Sequence, residues 1–395
     1  MLDSIYIGMS GLQGYSRGLK VIANNTANMN TPGFKSSSLQ FGDMFYSNGD
    51  QSGTSRGTFG QLGHGLVTGG TTLNFRQGEL RQTGNTLDLA IDGQGLFTLK
   101  DADGKIHYTR AGQFEFNSSG VLVNRLDGSK VMGLDANNIL SEISVNGVHT
   151  STGKQSNVLK FIGNLSSTAT DQTVTGVKVI DSAGGEHSLT VKMTNTNATT
   201  VGSWKVDVSE NGVAVGTGQI IFQDGKPQAA NSKVAINFTP AGLSSIPLVL
   251  DFSTDVTSFG SSNLSTLAFS SQDGFAAGTL TGASFDAAGV LVLAYSNGQT
   301  SKGSKLALGR FDTLDAVEAV GSNEFDATDA SAWHAGVASE NGFGAVKSGM
   351  VEISNVDLSQ EFSDLVIMQR GYQASSQIIT TANEMLQELF SMKGK

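Results

Sequence analysis

The chain has 395 residues, with 25 Lys and Arg against 35 Asp and Glu, for a formal net charge of −10. That length predicts two to three domains with real cores. The acidic balance excludes bulk nucleic-acid binding, which needs a basic footprint. The absence of cysteine excludes thiol catalysis, a disulfide framework and thiolate-held metal.

Composition sets the style of the fold. Fifty glycines, four prolines and abundant Ser, Thr and Asn predict many short strands joined by tight turns. No apolar run approaches the roughly 18–20 residues of a membrane span. The opening "MLDSIYIGMSGLQGYSRGLK" lacks a basic start, a continuous apolar stretch and a small-residue cleavage site. It does not read as a Sec-type signal, so any export is expected to use a route that reads an uncleaved N-terminus.

Residues 3–28 read as a helix. Leu2, Ile5, Met9, Leu12, Leu19 and Ala23 follow an alternating three-four spacing, broken at Ser16, which predicts a heptad seam. Asp3 suits the first turn, where unpaired N–H groups favour negative charge. Gly8, Gly11, Gly14 and Gly18 each weaken the helix by about 1 kcal/mol relative to Ala, so it should fold only against a partner. Those small residues also allow close backbone approach. "NNTANMNTPGFK" (Asn24 to Lys35) then stops the helix. Thr31 is pushed into extended geometry by Pro32, and Pro32-Gly33 suits the centre of a type II turn. Residues 36–84 are rich in Gly, Ser and Gln with little period, and are expected to form an irregular connector or a mobile loop. Within them "GQLGHG" (Gly60 to Gly65) has neither the preceding strand nor the following helix of a phosphate-binding loop.

From 85 onwards the pattern is that of strands. Leu87, Leu89 and Ile91 alternate, and "GLFTL" and "IHYT" flank the turn "DADG", a hairpin signal. "DADGK" opens like a calcium loop, but Lys105 and Gly112 occupy positions where that loop needs acids. "FEFNSSGVLVN" predicts another hairpin. Residues 146–272 read as a separate all-β domain, with "TGVKVIDSAGGEHSLTVKMT" alternating about Gly-Gly and Asn211-Gly212 marking a tight turn. Strands return at 285–295 and 305–311, and "HAGVASENGFGAVKSG" is irregular.

A second helix starts near Asp357, where Asp357-x-x-Gln360 resembles a capping box and Glu361 sits in the first turn. Leu358, Leu365, Tyr372, Ile379 and Leu386 recur every seven residues. Met368, Ala382 and Leu389 form a second row whose polar member is Ser375, and Ile378, Met385 and Met392 a third. A face that broad requires more than one neighbour. Lys393 and Gly394 suit a terminus. Either the two terminal helices pack on each other and then on neighbouring chains, or each covers its own β-domain.

Three blocks carry a resemblance. "NNTANMNTPGFK", "LDLAIDGQGLF" followed by "YTRAGQFEFNSSGVLV", and "SNVDLSQEFSDLVIMQRGYQASSQIITTANEMLQELFSMK" resemble, in order, the signatures of bacterial flagellar axial proteins, the rod and hook family. "VTGVKVIDSAGGEHSLTVKMT" and "DGFAAGTLTGASFDAAGVL" resemble the inserted domain and return strands of hook-type members. No motif is recognisable between about 195 and 270.

The resemblance implies a mainly β chain with terminal α-helices in a nested, discontinuous multidomain architecture. Residues 1–30 would pair with 356–395 as a coiled coil lining an inner tube, 31–84 would connect, 85–145 with 273–355 would form an inner β-rich domain, and 146–272 an outer inserted one. It implies a self-assembling structural subunit of a curved, flexible tube that transmits motor torque, the alternative being a straight distal rod or other axial part. Self-assembly would fall to Leu2, Ile5, Met9, Leu12, Leu19, Ile22, Leu358, Phe362, Leu365, Tyr372, Ile379 and Leu386. Asn25, Asn28, Thr31, Pro32, Gly33, Phe34 and Lys35 would form a joint, their polar side chains bonding backbone along a defined path. The implied partners are further copies of the chain, rod and hook–filament junction proteins, the hook cap and the type III export apparatus, at the basal body and outside the cell. Neither nucleic acid nor membrane insertion is implied, and no cofactor.

Other classes find little support. His64, His107, His149, His187 and His334 show no metal-ligand spacing with one another. Ser151 and Lys154 match S-x-x-K without accompanying motifs, and Asp88 and Asp92 flank a turn that spoils a shared face. Arg110 reads as a salt-bridge residue or a subunit contact. A secreted β-rich adhesin would leave the terminal helices unexplained.

Overall fold

The structure is a computed structural model that describes residues 2–48, 61–135, 137 and 139–393. The Gly60 that opens "GQLGHG" and the expected terminator Gly394 lie outside the described residues. The chain divides into two compact units, one of residues 1–146, 283–292 and 302–395, the other of 147–282 and 293–301. The second interrupts the first, so the architecture is nested and mostly β, with a helix at each end.

In the first unit, α1 (Leu2–Ala27) and α2 (Leu358–Lys393) pack antiparallel. A Cβ on Gly8 would lie 2.9 Å from Ile379 Cγ1, on Gly11 2.6 Å from Ser375 Oγ, and on Gly18 2.9 Å from Met368 Sδ. About two turns on, Asn25 meets Glu361. The contacts step by seven along both helices, through Gly11, Gly18 and Asn25 on one and Glu361, Met368 and Ser375 on the other. The face of α1 that meets α2 is therefore its glycine row, not the expected Leu2-to-Ala23 stripe. Glycine lets the two backbones close to a distance that a Leu stripe would forbid. Of that stripe, Leu2 and Met9 stay 64% and 52% exposed.

The described residues of 36–84 form paired strands and not the expected irregular connector. Strand Ser37–Asp43 pairs antiparallel with Leu66–Leu73, from Ser37 opposite Leu73 to Asp43 opposite Leu66, and Tyr46–Asn48 pairs with Gln61–Gly63. The hairpin lies on α1, where Gly14 admits Leu66 and Thr68 and the Tyr15 and Phe41 rings stand 6.0 Å apart. Its strands, rich in Thr and Gly, lean one sparse face on a helix, so they lack the apolar alternation of a half-buried strand.

The rest of this unit is a sheet built around strand Leu96–Lys100. It pairs with Ile106–Thr109 across the "DADG" turn, with Lys130–Leu134, and with Leu308–Phe311. Phe114–Phe116 and Leu122–Asn124 form the second expected hairpin. Leu89, Ile91, Phe97, Leu99, Phe114 and Leu122 are fully buried, with Phe97 and Phe114 edge to face at 5.1 Å. Two outlying ladders prepare the site described below: Ala345–Ser348 pairs with Leu89–Asp92, and Met350–Glu352 with Leu80–Gln82. Both fall partly in stretches that read as irregular.

The second unit is a two-sheet sandwich. One sheet runs antiparallel through Asp171–Ile180, Glu186–Asn195, Ser203–Glu210, Val213–Gln223 and Lys226–Pro227. Asn211 and Gly212 take positive φ of 48° and 83° at its predicted turn. The other sheet orders Lys233–Phe238, Ile246–Thr257, Val158–Asn164 and Ala268–Gln272, the middle pair parallel. Alternate residues of both, among them Trp204, Val206, Phe161, Phe252 and Phe238, fill one core.

Candidate functional site at the helix–sheet junction

The residues of the three signature blocks converge where α1 ends and α2 begins. Thr31-Pro32-Gly33-Phe34 is a turn closed by the Phe34 N–H donating to the Thr31 carbonyl at 3.3 Å, and Gly33 holds φ at +74°. This is the glycine position of a type II turn. Gly33 is also pressed against the segment that follows strand Ile106–Thr109: a Cβ there would sit 2.4 Å from the Ala111 nitrogen. Its N–H donates to the Glu352 carbonyl at 2.8 Å, and Asn323 Nδ2 donates to the Pro32 carbonyl at 3.0 Å.

Two residues past that glycine, Lys35 is buried. Its ammonium donates to Glu352 Oε1 at 2.6 Å and to the Arg76 carbonyl at 2.9 Å. Arg110 Nε donates to the other carboxylate oxygen at 2.5 Å, and the Gly78 N–H adds a bond to Oε1 at 2.8 Å. The remaining guanidinium groups donate to the carbonyls of Ile91 at 2.9 Å, Gly93 at 2.6 Å and Gly95. Burial pulls the Lys35 ammonium below its ordinary range, opposed by Glu352 and reinforced by Arg110. One carboxylate thus holds two cations inside the protein and accepts three hydrogen bonds.

A second knot involves Glu361 in the first turn of α2. Asn25, 2% exposed, donates to Glu361 Oε1 and to the Ser37 carbonyl, both at 2.8 Å, and accepts from the Ser37 N–H at 3.1 Å. Burial raises the Glu361 carboxyl above the usual range, with Asp364 and Asp357 adding to it and the Asn25 bond opposing. Asn355 accepts from the Ser36 N–H at 2.8 Å and donates to the carbonyls of Asn74 at 2.7 Å and Arg76 at 2.8 Å. Asp357 caps α2 by accepting from Ser359 and Gln360 N–H at 2.9 and 3.2 Å. The expected capping box is only half made, because the Gln360 side chain turns to Asp364 at 3.0 Å instead of reaching back.

Of the seven motif residues, Asn25, Gly33 and Lys35 are buried here, and Asn28, Thr31, Pro32 and Phe34 are half-buried. Thr31 Oγ1 donates to Asn28 Oδ1 at 3.1 Å, holding the approach to the turn. The helix residues named for self-assembly divide by exposure. Ile22 is buried; Ile5, Leu12, Leu19, Leu365, Ile379 and Leu386 are half-buried. Leu2, Met9, Leu358, Phe362 and Tyr372 are exposed. Of the residues weighed for catalysis, Lys154 pairs with Asp273 at 3.1 Å and Asp88 with Arg125 at 2.8 Å. Arg110 makes a salt bridge, one of the two roles read for it from the sequence, but its partner Glu352, and the bonds of Asn355, escaped that reading. Glu352 stands only two residues before the Ser354-Asn355-Val356-Asp357 block, but a single acid in a strand carries no sign of its partners.

Comparison with known proteins places these blocks. Residues 5–35 match the family described as flagella basal body rod protein, 90–158 the flagellar hook protein FlgE/F/G D1 domain, and 347–392 the flagellar basal body rod FlgEFG protein C-terminal. The flagellar hook protein FlgE of Borreliella burgdorferi is 28% identical over 447 residues, covering 100% of both chains. That of Escherichia coli is 27% identical over 98% of each, and the flagellar basal-body rod protein FlgG of Bacillus subtilis is 27% identical over 100% of each. The crystal structure of the Helicobacter pylori flagellar hook protein FlgE2 matches with a TM-score of 0.50 at 12% identity, over 69% of this chain and 100% of that one, a likeness of fold. The chain belongs to the flagellar hook and rod family. Its place is the flagellum, in the hook and basal body. Among the described residues no helix is long and apolar enough to cross a membrane.

Proposed function

We propose that this chain is the structural subunit of the flagellar hook, polymerising into a curved, flexible tube that passes motor torque to the filament. The observation that carries this reading is the state of the terminal helices. They are already paired through glycines, yet Leu2, Met9, Phe362, Tyr372 and Leu389 remain exposed on them. Two paired helices that still present so many apolar side chains are suited to further copies of the same chain. The Thr31–Lys35 turn then serves as the joint between the helix pair and the sheet, and the ion cluster keeps that joint stiff.

A bending tube must let contacts on one side shorten while those on the other lengthen. Polar, hydrated contacts tolerate that better than dry apolar ones. The Ser, Thr, Asn and Gly surface of the β regions supports such a role, which is structural and not catalytic. The finer partners follow from the same reading: rod and junction proteins at the tube's ends, a cap during growth, and the type III export apparatus. Electron microscopy of the purified chain under polymerising conditions tests it. Curved, supercoiled tubes are expected; straight rods would assign the chain to the rod, which the similarity to a rod protein keeps in view. Persistent monomers would overturn both.

A further inference from the structure

Two histidines, one in each compact unit, stand on the same local frame. Asp101 to His107 and Asp181 to His187 share the pattern D-x-x-G-x-x-H, as "DADGKIH" and "DSAGGEH". Each turn closes in the same way. The Asp101 N–H donates to the Lys105 carbonyl at 3.0 Å and the Asp181 N–H to the Gly185 carbonyl at 2.9 Å. The Lys105 and Gly185 N–H groups donate back to the Asp Oδ1, each at 2.8 Å. The histidine, two residues on, reaches back so that Nε2 meets the Asp Oδ2 at 3.0 Å in both. Nδ1 meets a second carboxylate from another strand: Asp326 for His107, and Glu210 at 2.7 Å for His187.

The turn itself does not need the histidine. Asn117 to Val121 and Asp286 to Val290 close with the same bonds, and the corresponding sixth positions are Val123 and Val292. The histidines are thus an addition to a common turn. Their geometry also dictates their charge. A neutral imidazole has one N–H and one lone pair, and a lone pair aimed at a carboxylate is repulsive. A carboxylate at each ring nitrogen requires both to donate.

We propose that His107 and His187 are two histidinium clasps, each tying a hairpin turn to a neighbouring strand, and that alkaline titration opens them.

The groups facing each ring agree with this. Burial alone lowers the His187 imidazole, and it is the largest single influence, but Asp181 and Glu210 together carry it above its ordinary value. The edge of Phe238, 5.1 Å away, is the neutral neighbour from the facing sheet, and the Lys178–Glu186 pair at 3.5 Å stands on the same hairpin. His107 is likewise raised, by Asp101, Asp326 and Glu324 against burial. Its surroundings are more coupled, because Glu324 lies against Asp127 and has its own carboxyl pushed up to about 7, with burial the first cause. Tyr108, beside it in the chain, is raised by burial and Asp326 and stays neutral. A folded value above the unfolded one means that the clasp stabilises fully below the unfolded histidine value of about 6.5. That stabilisation is lost as pH rises through the folded value.

The test is nitrogen NMR of the full chain with ¹⁵N-labelled histidine, titrated from about pH 5 to about pH 9, with the same chain in urea as reference. Spectra of His107→Gln and His187→Gln assign the signals. Expected are two protonated ring nitrogens on His107 and His187 at pH 7, with midpoints above the urea value. A neutral tautomer at pH 7, or a midpoint at or below the urea value, overturns the proposal. Glu210→Gln should lower the His187 midpoint and leave that of His107 unchanged. An unmoved His187 midpoint in that variant equally overturns it. Should an assignment variant fail to fold, through-bond correlation of each ring to its backbone amide assigns the wild-type signals, and the wild-type spectrum then decides the protonation state.

Discussion

Lys35 and Glu352 are 317 positions apart in the chain and 2.6 Å apart in space, each side chain 1% exposed. With Arg110 they form one buried triad that fastens the turn after α1 to the strand before α2. Removing the shared carboxylate should be the most damaging single change at the junction. Glu352→Gln leaves two buried cations without a counter-charge and is expected to cost about 3–5 kcal/mol. Lys35→Met, which leaves Arg110 paired, should cost less. Urea unfolding of the first unit, followed by amide exchange at Val351 and Ala111, measures both; an equal and small loss would show that the triad is not cooperative.

Gly33→Ala should be far worse than Pro32→Ala. The new methyl must tolerate φ of +74° and would lie 2.4 Å from the Ala111 nitrogen. Left-handed geometry alone costs about 1–2 kcal/mol for a residue with a Cβ, and the backbone contact adds to it. A lower melting temperature with failed polymerisation is expected for Gly33→Ala and for the double Pro32→Ala, Gly33→Ala change. Unchanged polymerisation of the double variant would remove the joint from the account.

The glycine row makes a distinct prediction. Gly11→Val with Gly18→Val places branched side chains against Ser375 and Met368. The helix pair should separate, seen as protease cleavage within α1, while residues of the 147–282 sandwich keep their exchange protection. Resistance of α1 to cleavage would mean that the helices adjust by sliding.

Exposed helix residues should matter only between chains. Met9→Asp and Phe362→Asp alter side chains 52% and 54% exposed, so the monomer should change by no more than about 0.5 kcal/mol. Polymer formation, scored by sedimentation, should be lost, because in the assembly a buried unpaired charge costs several kcal/mol. Leu365→Asp and Ile379→Asp should also abolish assembly, but both are half-buried in the single chain and Ile379 touches Gly8, so these variants should destabilise the monomer too. Normal tubes from Met9→Asp would place that face elsewhere.

Glu324 supplies a pH dependence. Burial, with Asp127 close by, pushes its carboxyl up to about 7. A group raised in the fold favours folding below its unfolded value and loses that contribution as pH rises through the folded one. Stability of the first unit should therefore fall between about pH 4.5 and about pH 7 by this group, and Glu324→Gln should flatten that slope. Thermal melts across the range check it, and an unchanged slope would assign the decline to other groups.

Much of this was legible because it obeys local rules. The two helices, the "DADG" and Asn211-Gly212 hairpins and the Asp357 cap follow from spacing, turn chemistry and capping, each settled within a few residues. The face by which α1 meets α2 was not. Gly11 and Gly18 carry no hydrophobic signal, although they occupy the same seven-residue row as Asn25. The Ser37–Leu73 hairpin was hidden because a strand lying on a helix through Thr and Gly shows no alternation. The Lys35–Glu352–Arg110 triad joins residues from three distant segments, and no periodicity within one segment reports such a meeting.

The distance in sequence across that triad also sets an order in time. A chain made from its first residue to its last has α1, the turn and Lys35 in hand long before Glu352 and α2 exist. Until they arrive, Lys35 has no counter-charge and the glycine face of α1 has nothing to rest on. The adhesive ends of the molecule therefore mature last, after the sandwich between them has had time to fold, and premature sticking is postponed until the whole polypeptide is present.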